Sequence, residues 1–226
     1  MRHIICVTGT MAAGKNVASD ILARRGFARR GFARRGFACL DADVLVHQTL
    51  ALPAVQERVR AAFGDIAAKR GLALTHADGS IDRRALGALL FADKTLLRQQ
   101  EAIVHPEVAR RISAFIDDHA DCDIVLNATV LYKIPALLAR CTAIIFIDAP
   151  LPLRFLRARH RDGMNTRHIL ARFRQQRKLF AKYQNAPADI HRVSNTGSLR
   201  ALERNIDAVL AALALHGTAS VPPERG

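Results

Sequence analysis

The sequence predicts an α/β fold in which a parallel sheet is flanked by helices. Short apolar runs alternate with longer helical patterns along the chain, which is typical of parallel strands joined by crossover helices. The 226 residues are 50% hydrophobic, enough for a sizeable core. A glycine-containing loop also follows the first apolar run. The predicted strands cover residues 4–7, 37–40, 123–126, 142–148 and 190–193.

The loop after the first strand has the spacing of a phosphate-binding loop. Residues 9–15 read Gly-Thr-Met-Ala-Ala-Gly-Lys, the pattern G-x-x-x-x-G-K, and a helix is predicted over residues 17–25. Backbone N–H groups of such a loop converge on a phosphate, the helix N-terminus adds positive potential, and Lys15 reaches the β- and γ-phosphates. The motif predicts a P-loop NTPase-like fold, with a nucleotide site formed by Gly9, Ala12, Ala13, Gly14, Lys15, Asn16 and Val17.

Position 16 departs from this motif, which has Ser or Thr after the lysine as a ligand for Mg²⁺. The chain has Asn16 there. An amide oxygen is an acceptable ligand for a hard cation, although the longer side chain changes the geometry. The loop therefore predicts a protein that uses ATP or GTP, with Mg²⁺ as a cofactor and Asn16 as one metal ligand.

Two carboxylates follow the second predicted strand, at Asp41 and Asp43. In a parallel sheet this edge also carries the phosphate loop. A carboxylate at this edge can accept a proton from an attacking hydroxyl or hold Mg²⁺, so Asp41 is a candidate metal ligand and Asp43 a candidate base. Helix capping alone explains one of the two residues, but it does not favour both.

A helical insert is expected between the second and third strands, over about residues 53–120. Its predicted helices cover 53–63, 83–91, 94–104 and 107–119. The connection 64–81 contains an Asp78-Gly79 turn, Asp82 caps the second helix, and His105-Pro106 separates the last two. Farther on, helices are predicted from Pro150, over 166–178 and over 199–215. Residues 154–182 are expected to form an arginine-rich lid, with a solvated basic helix face as the alternative, and the tail 217–226 is expected to fray. We expect one domain over residues 1–226.

The composition indicates which ligands the protein can bind and in which compartment it is expected to lie. The net charge is +14, which suits polyanionic ligands, while aromatic residues are only 5% and supply few stacking platforms, so nucleic acid is an unlikely partner. No apolar run reaches the ~20 residues needed to span a bilayer, and no signal-peptide pattern is present. The four cysteines lack C-x-x-C spacing and predict reduced, mostly buried thiols. We expect a cytoplasmic protein.

The segment 24–38 repeats Arg-Arg-Gly-Phe-Ala three times. A period of five gives neither a helix nor a strand a continuous apolar face. One copy suffices to end the first helix and begin the second strand. We interpret the other ten residues as a tandem expansion of a surface connection, where extra length costs little entropy. An arginine-rich arm that binds nucleic acid or membrane is the alternative.

An ordered set of motifs resembles the dephospho-CoA kinase family over about residues 1–210. Besides the phosphate loop and Asp41-Ala42-Asp43, the set includes Glu101-Ala102-Ile103-Val104-His105-Pro106 and Arg161-Asp162-Gly163. The block from Asp78 to Asp93 is far more specific than the phosphate loop. The remaining matches are Phe63-Gly64-Asp65-Ile66, Gln176 and Asn195-Thr196-Gly197-Ser198.

The resemblance implies transfer of the γ-phosphoryl group of ATP to the ribose 3′-hydroxyl of dephospho-CoA. It implies that Lys15 holds the ATP phosphates, that Asp43 is the base, that Arg161 is a lid arginine and that Asn195 lies at the nucleotide. The 82–106 block would bind the acceptor, through Arg83 and His105 together with Asp43. The expected partners are ATP and dephospho-CoA, and we expect a monomer or a weak homo-oligomer.

Several positions differ from the family pattern. Asn16 replaces Ser or Thr, and Ala12-Ala13 replaces Gly-Ser. Residues 127–133 read Asn-Ala-Thr-Val-Leu-Tyr-Lys in place of Asp-x-Pro-Leu-Leu-Phe-Glu, so that two acidic positions become Asn127 and Lys133. We expect reduced Mg²⁺ affinity but retained activity. Another nucleoside or nucleotide kinase of this fold, or a degenerate RNA-binding relative, remains an alternative.

Overall fold

The computed structural model describes residues 2–28, 37–91, 93–162 and 165–218. These described residues form two compact units, one drawn from within 1–41 and 116–226 and the other from within 42–115. The first contains the sheet and the second is helical. The single-domain organisation, with its insert and lid, stays a prediction.

The sheet unit contains five parallel strands in the order β2-β3-β1-β4-β5. The predicted parallel sheet is therefore confirmed. The first strand lies at its centre, where β3 and β4 pair with its two edges, and it is buried along its whole length. The strands are β1 (Ile4–Gly9), β2 (Ala38–Asp41), β3 (Ile124–Asn127), β4 (Ala143–Asp148) and β5 (Asp189–Ser194).

One face of the sheet packs against the first and last helices. Ile145 and Ile147 of β4 belong to the same buried cluster as Ile21, Leu22 and Ile206 of these helices. This packing fixes the helix that follows the phosphate loop against the central strands. The helices of the sheet unit are α1 (Lys15–Ala28), α6 (Pro135–Leu138), α7 (Leu151–Asp162), α8 (Thr166–Gln175) and α9 (Leu199–Thr218), and short 3-10 turns lie at Leu131–Lys133 and Phe180–Lys182.

The helical unit contains α2 (Ala42–Leu50), α3 (Pro53–Lys69), α4 (Arg83–Phe91) and most of α5 (Lys94–Asp118). Asp82 caps α4 as predicted, since its Oδ1 accepts hydrogen bonds from the N–H groups of Arg84 and Ala85 at 2.7 and 3.1 Å. These bonds hold the pKa of the Asp82 carboxyl below its usual value. The Asp78-Gly79 turn is also confirmed, with Gly79 at φ +81°.

Two predicted helix ends in this unit are wrong. Helix α3 continues through Gly64 to Lys69 because its buried face continues: Val55, Val59, Phe63 and Ala67 recur every four residues. Its end is marked by Gly71 instead. The N–H groups of Leu72 and Gly71 donate to the carbonyls of Ala67 and Ala68, which is a Schellman motif with glycine in the left-handed region at φ +67°.

The predicted break between residues 104 and 107 is also wrong, because α5 passes through Pro106 without interruption. Proline removes one helical hydrogen bond and crowds the preceding turn. Buried Val104, Val108 and Ile112 nevertheless lie four residues apart on either side of it. The buried face holds the two halves in one helix.

All four cysteines are free thiols, as predicted. Only Cys6 and Cys141 are buried, whereas Cys39 is exposed and Cys122 half-buried, so the expected burial holds for half of them. Among the described residues, no helix has the length and apolar character that crossing a membrane would require. The repeat falls largely outside the described residues, as do residues 219–226 of the predicted tail.

Candidate active site around the phosphate loop

The phosphate loop connects β1 to α1, and its two glycines are required for different reasons. Gly9 has φ +151°, and a Cβ there would lie 2.3 Å from the carbonyl oxygen of Ile147 in the neighbouring strand. Gly14 has φ +101°, and its Cβ would lie 2.2 Å from Nδ2 of Asn195. Ala12 is also left-handed, at φ 60°. The loop therefore keeps a backbone shape suited to converging N–H groups, although Ala12 carries strain of about 1 kcal/mol.

The residue after β5 supports the loop from one side. Asn195 is buried, its Nδ2 donates to the carbonyl of Ala13 at 2.8 Å, and its own N–H donates to the carbonyl of Asp148 at 2.8 Å. Through its side chain and its backbone N–H, Asn195 thus ties the loop to the ends of β4 and β5. The sequence assigned Asn195 to the nucleotide site, and the structure places it against the loop.

Two further side chains hold the peptide groups of Met11 in the loop. The Met11 N–H donates to Oε1 of Gln176 at 2.6 Å, and its carbonyl accepts from Nε of Arg154 at 2.9 Å. Arg154 is only 6% exposed and its guanidinium lies 4.2 Å from the ring centroid of Phe173. Burial lowers the pKa of Arg154. Sequence reasoning counted Arg154 only among the lid arginines and missed this role, because nothing in its spacing separates it from the neighbouring arginines.

Lys15 lies at the first position of α1, and its ammonium donates to Oγ1 of Thr129. Thr129 is held in turn by a buried hydroxyl pair. The phenol of Tyr183 donates to the Thr129 carbonyl at 3.1 Å and lies 3.2 Å from Oγ1 of Thr8. Burial raises the pKa of Tyr183, so the phenol keeps its proton. Thr129 and Tyr183 were both missed from the sequence.

A polar cluster lies beside the loop, on the side of β2 and β3. Asp41 and Asn127 end these strands at paired positions, and Asn16 lies in the first turn of α1. Nδ2 of Asn127 donates to Oδ1 of Asn16 at 3.1 Å and to Oδ2 of Asp41 at 3.0 Å. These three side chains, which we call the Asn16–Asp41–Asn127 cluster, line a cavity of about 290 Å³. The structure thus brings together both predicted metal ligands.

The donor set of this cluster suits a hard cation. A carboxylate and an amide oxygen are ligands that Mg²⁺ accepts, and Mg²⁺ takes its remaining ligands from water and substrate phosphates. The described residues contain no group of three or more His, Cys, Asp or Glu side chains that could hold a metal. A cation at this cluster would therefore depend on phosphate oxygens for much of its coordination.

A larger cavity opens on the opposite side of the loop, with a volume of about 600 Å³. Its walls come from α1, α7 and the connection from β5 to α9. This volume lies in the range of small-molecule sites. Besides Ala12, Gly14, Val17 and Asn195, all expected at the nucleotide, the lining includes Leu156, Arg157, His160, Gly197, Leu199 and Leu202.

Similarity to known proteins identifies the family to which this chain belongs. The dephospho-CoA kinase family model matches residues 3–199. The chain belongs to the dephospho-CoA kinase family.

Curated dephospho-CoA kinases resemble the chain over most of its length. The protein from Treponema pallidum is 35% identical, with 92% of this chain and 93% of that protein covered. The one from Treponema denticola is 32% identical, with 90% and 86% covered. A crystal structure from Thermus thermophilus is 30% identical and superposes with a TM-score of 0.71, covering 94% of this chain and 98% of that one.

More distant structures share the fold alone. A dephospho-CoA kinase from Campylobacter jejuni has a TM-score of 0.55 at 21% identity and covers 94% of this chain and 97% of its own. A gluconokinase from Sinorhizobium meliloti has a TM-score of 0.52 at 17% identity, with 98% and 100% covered. The P-loop kinase fold is therefore shared across acceptors of different chemistry, and the acceptor must be assigned from the family.

The residues expected to act on the acceptor of a dephospho-CoA kinase lie in the helical unit. Asp43 is exposed in the first turn of α2, Arg83 is exposed at the start of α4, and His105 is half-buried within α5. Arg161 lies in α7, but its side chain is outside the described part of the structure. The roles of these four residues stay predictions.

Proposed function

We propose that this chain transfers the γ-phosphoryl group of ATP to the ribose 3′-hydroxyl of dephospho-CoA. Membership of the family implies ATP use and both substrates. The observation that carries the proposal is the braced phosphate loop, which lies beside a cavity of about 600 Å³ in a chain that matches the family over residues 3–199. We further propose a cytoplasmic location and a monomer or weak homo-oligomer.

The loop would hold the triphosphate and orient it for transfer. Backbone N–H groups of the loop would bind the phosphates, and Lys15 would exchange its contact with Thr129 for the β- and γ-phosphates. The adenosine would occupy the larger cavity, against Val17 and Asn195. Gly9, Ala12, Ala13, Gly14 and Asn16 complete the proposed nucleotide site.

Positioning and charge neutralisation supply most of the catalysis in phosphoryl transfer. Lys15 and Arg161 would neutralise charge on the transferred group. Asp43 would accept the proton of the 3′-hydroxyl, while Arg83 and His105 would bind the acceptor. The net charge of +14 favours the encounter with both polyanionic substrates.

Asn16 and Asp41 would hold Mg²⁺, with Asn127 between them. Bound at this point, the cation would neutralise phosphate charge. Only Asp41 contributes a full negative charge to the cluster, so its intrinsic affinity for the cation is expected to be low.

The test follows ADP release with dephospho-CoA as acceptor, for the wild type, Lys15→Ala and Asp43→Asn. Lys15→Ala loses both ATP affinity and rate, whereas Asp43→Asn keeps ATP affinity and loses about 10²–10⁴-fold in rate. Lys69→Ala and Asp118→Asn are matched controls, since both residues are exposed at the ends of helices. Phosphorylation of a nucleoside in an acceptor panel, without phosphorylation of dephospho-CoA, would contradict the proposal.

A further inference from the structure

Two positions at which this chain departs from its family are in direct contact. Asn16 stands where the family pattern has Ser or Thr, and Asn127 stands where it has Asp. Their side chains are hydrogen-bonded at 3.1 Å, although the residues lie 111 apart in the chain. The two changes therefore belong to one local rearrangement beside the phosphate loop.

The amide of Asn127 uses only one of its two ends. Both hydrogens of Nδ2 have acceptors, in Oδ1 of Asn16 and Oδ2 of Asp41. Oδ1 of Asn127 is buried and has no hydrogen-bond partner among the described residues, and the residue is only 5% exposed. Burying a carbonyl oxygen without a hydrogen-bond partner costs free energy, so the observed orientation of the Asn127 amide carries a penalty.

The two ends of an amide exchange places when the side chain rotates by 180° about its last torsion. Rotation at Asn127 would bring an oxygen towards Asn16 Oδ1 and Asp41 Oδ2. With Asn16 in its observed orientation, three oxygens would then face one another and repel unless a cation lay among them. The orientation of Asn127 that is unfavourable without a cation is therefore favourable when a hard cation is bound.

We propose that Asn127 acts as an amide latch on the cation site. In the free protein its NH₂ group bridges Asn16 and Asp41 and occupies the position of the cation. Binding of a divalent cation breaks both hydrogen bonds and turns Oδ1 inward as an additional ligand. This inference rests on the proposed function, because it takes the Asn16–Asp41–Asn127 cluster as the cation site of the kinase.

The latch has a consequence that a purely structural tie lacks. The cation must compete with two hydrogen bonds, so removing the NH₂ group increases cation affinity. Asp at position 127 has no donor to offer and adds a second negative charge to the cluster. If Asn127 served only to join β2, β3 and α1, its NH₂ group would stay hydrogen-bonded to Asn16 and Asp41 when a cation binds.

The experiment measures Mn²⁺ binding to the protein without nucleotide, by electron paramagnetic resonance of free Mn²⁺. Asn127→Asp is expected to tighten Mn²⁺ binding by about tenfold or more, because it adds a charge and removes the competing donor. Asn185→Asp is the matched control, since Asn185 is exposed and remote in sequence, and it is expected to bind Mn²⁺ as the wild type does. Equal affinities of the two variants would overturn the latch.

A second measurement uses only the wild type and so does not depend on the folding of a variant. In protein labelled with ¹⁵N-asparagine, Mg²⁺ is expected to shift the side-chain NH₂ resonances of Asn127 and to speed their exchange with water. An Asn127 signal that stays unchanged at every Mg²⁺ concentration the protein tolerates would overturn the latch. Neither measurement uses dephospho-CoA, so failure of the latch is distinguishable from failure of the proposed kinase activity, which is read from ADP release.

Discussion

The two sides of the phosphate loop are built from different kinds of contact. On the nucleotide side, Asn195, Gln176 and Arg154 all bond to backbone groups of the loop. On the proposed cation side, side-chain hydrogen bonds join Asn127 to Asn16 and to Asp41. Recognition by backbone groups is expected to tolerate side-chain changes such as Ala12 and Ala13, whereas recognition of a cation depends on the side chains themselves.

The largest effect is expected from Gly14→Ala on the nucleotide side. A Cβ at this left-handed position meets Nδ2 of Asn195 at 2.2 Å, so both the loop and its brace must move. We expect ATP affinity, measured by calorimetry, to fall about 100-fold, or about 2.7 kcal/mol.

Gly64→Ala is the control for this change. Gly64 lies within α3 with open space around the position of its Cβ. This variant should bind ATP as the wild type does and gain about 0.5–1 kcal/mol in free energy of unfolding. Unchanged ATP affinity in Gly14→Ala would show that the loop does not need its observed shape.

A smaller effect is expected from Asn195→Ala. Removing the amide leaves the buried carbonyl of Ala13 without its donor, at a cost of about 1–3 kcal/mol. We expect ATP affinity to fall about tenfold, with the affinity for Mn²⁺ in the absence of nucleotide unchanged. A change in Mn²⁺ affinity of similar size would contradict the separation of the two sides.

Asn16→Thr tests whether the side chain at position 16 limits the Mg²⁺ affinity of the proposed cation side. Threonine restores the hydroxyl of the motif and removes one of the two acceptors that bind the Asn127 amide. We expect the Mg²⁺ concentration for half-maximal ADP release to fall about fivefold, which corresponds to about 1 kcal/mol. ATP affinity in chelator should stay the same, and an altered value there would mean that the substitution acts on the loop instead.

The smallest effect is expected from deleting residues 24–33. Arg25 forms an ion pair with Asp207 at 2.9 Å, and the deletion places Arg35 at its position in the chain. Stability should change by less than about 0.5 kcal/mol, since surface changes and shorter connections have small effects. Loss of folding or of ADP release would contradict the interpretation of the repeat as an expansion.

The sequence was informative wherever a local pattern determined the structure. The parallel sheet, the phosphate loop and the cap at Asp82 all followed from residues close together in the chain. The ends of α3 and α5 did not, because buried faces outweighed the local signals of Gly64 and Pro106. The contact between Asn16 and Asn127 required the pairing of β1 with β3, and the bond from Arg154 to Met11 spans 143 residues. Such contacts depend on tertiary packing, which no local pattern encodes.

We propose that this kinase combines an intact nucleotide side with a weakened cation side. The most direct test measures ADP release with dephospho-CoA as a function of free Mg²⁺, for the wild type and Asn127→Asp. We expect no transfer in chelator and full transfer at high Mg²⁺, with half-maximal activity at a higher Mg²⁺ concentration in the wild type than in the variant. Full activity without Mg²⁺, or none at any Mg²⁺ concentration, would contradict the account.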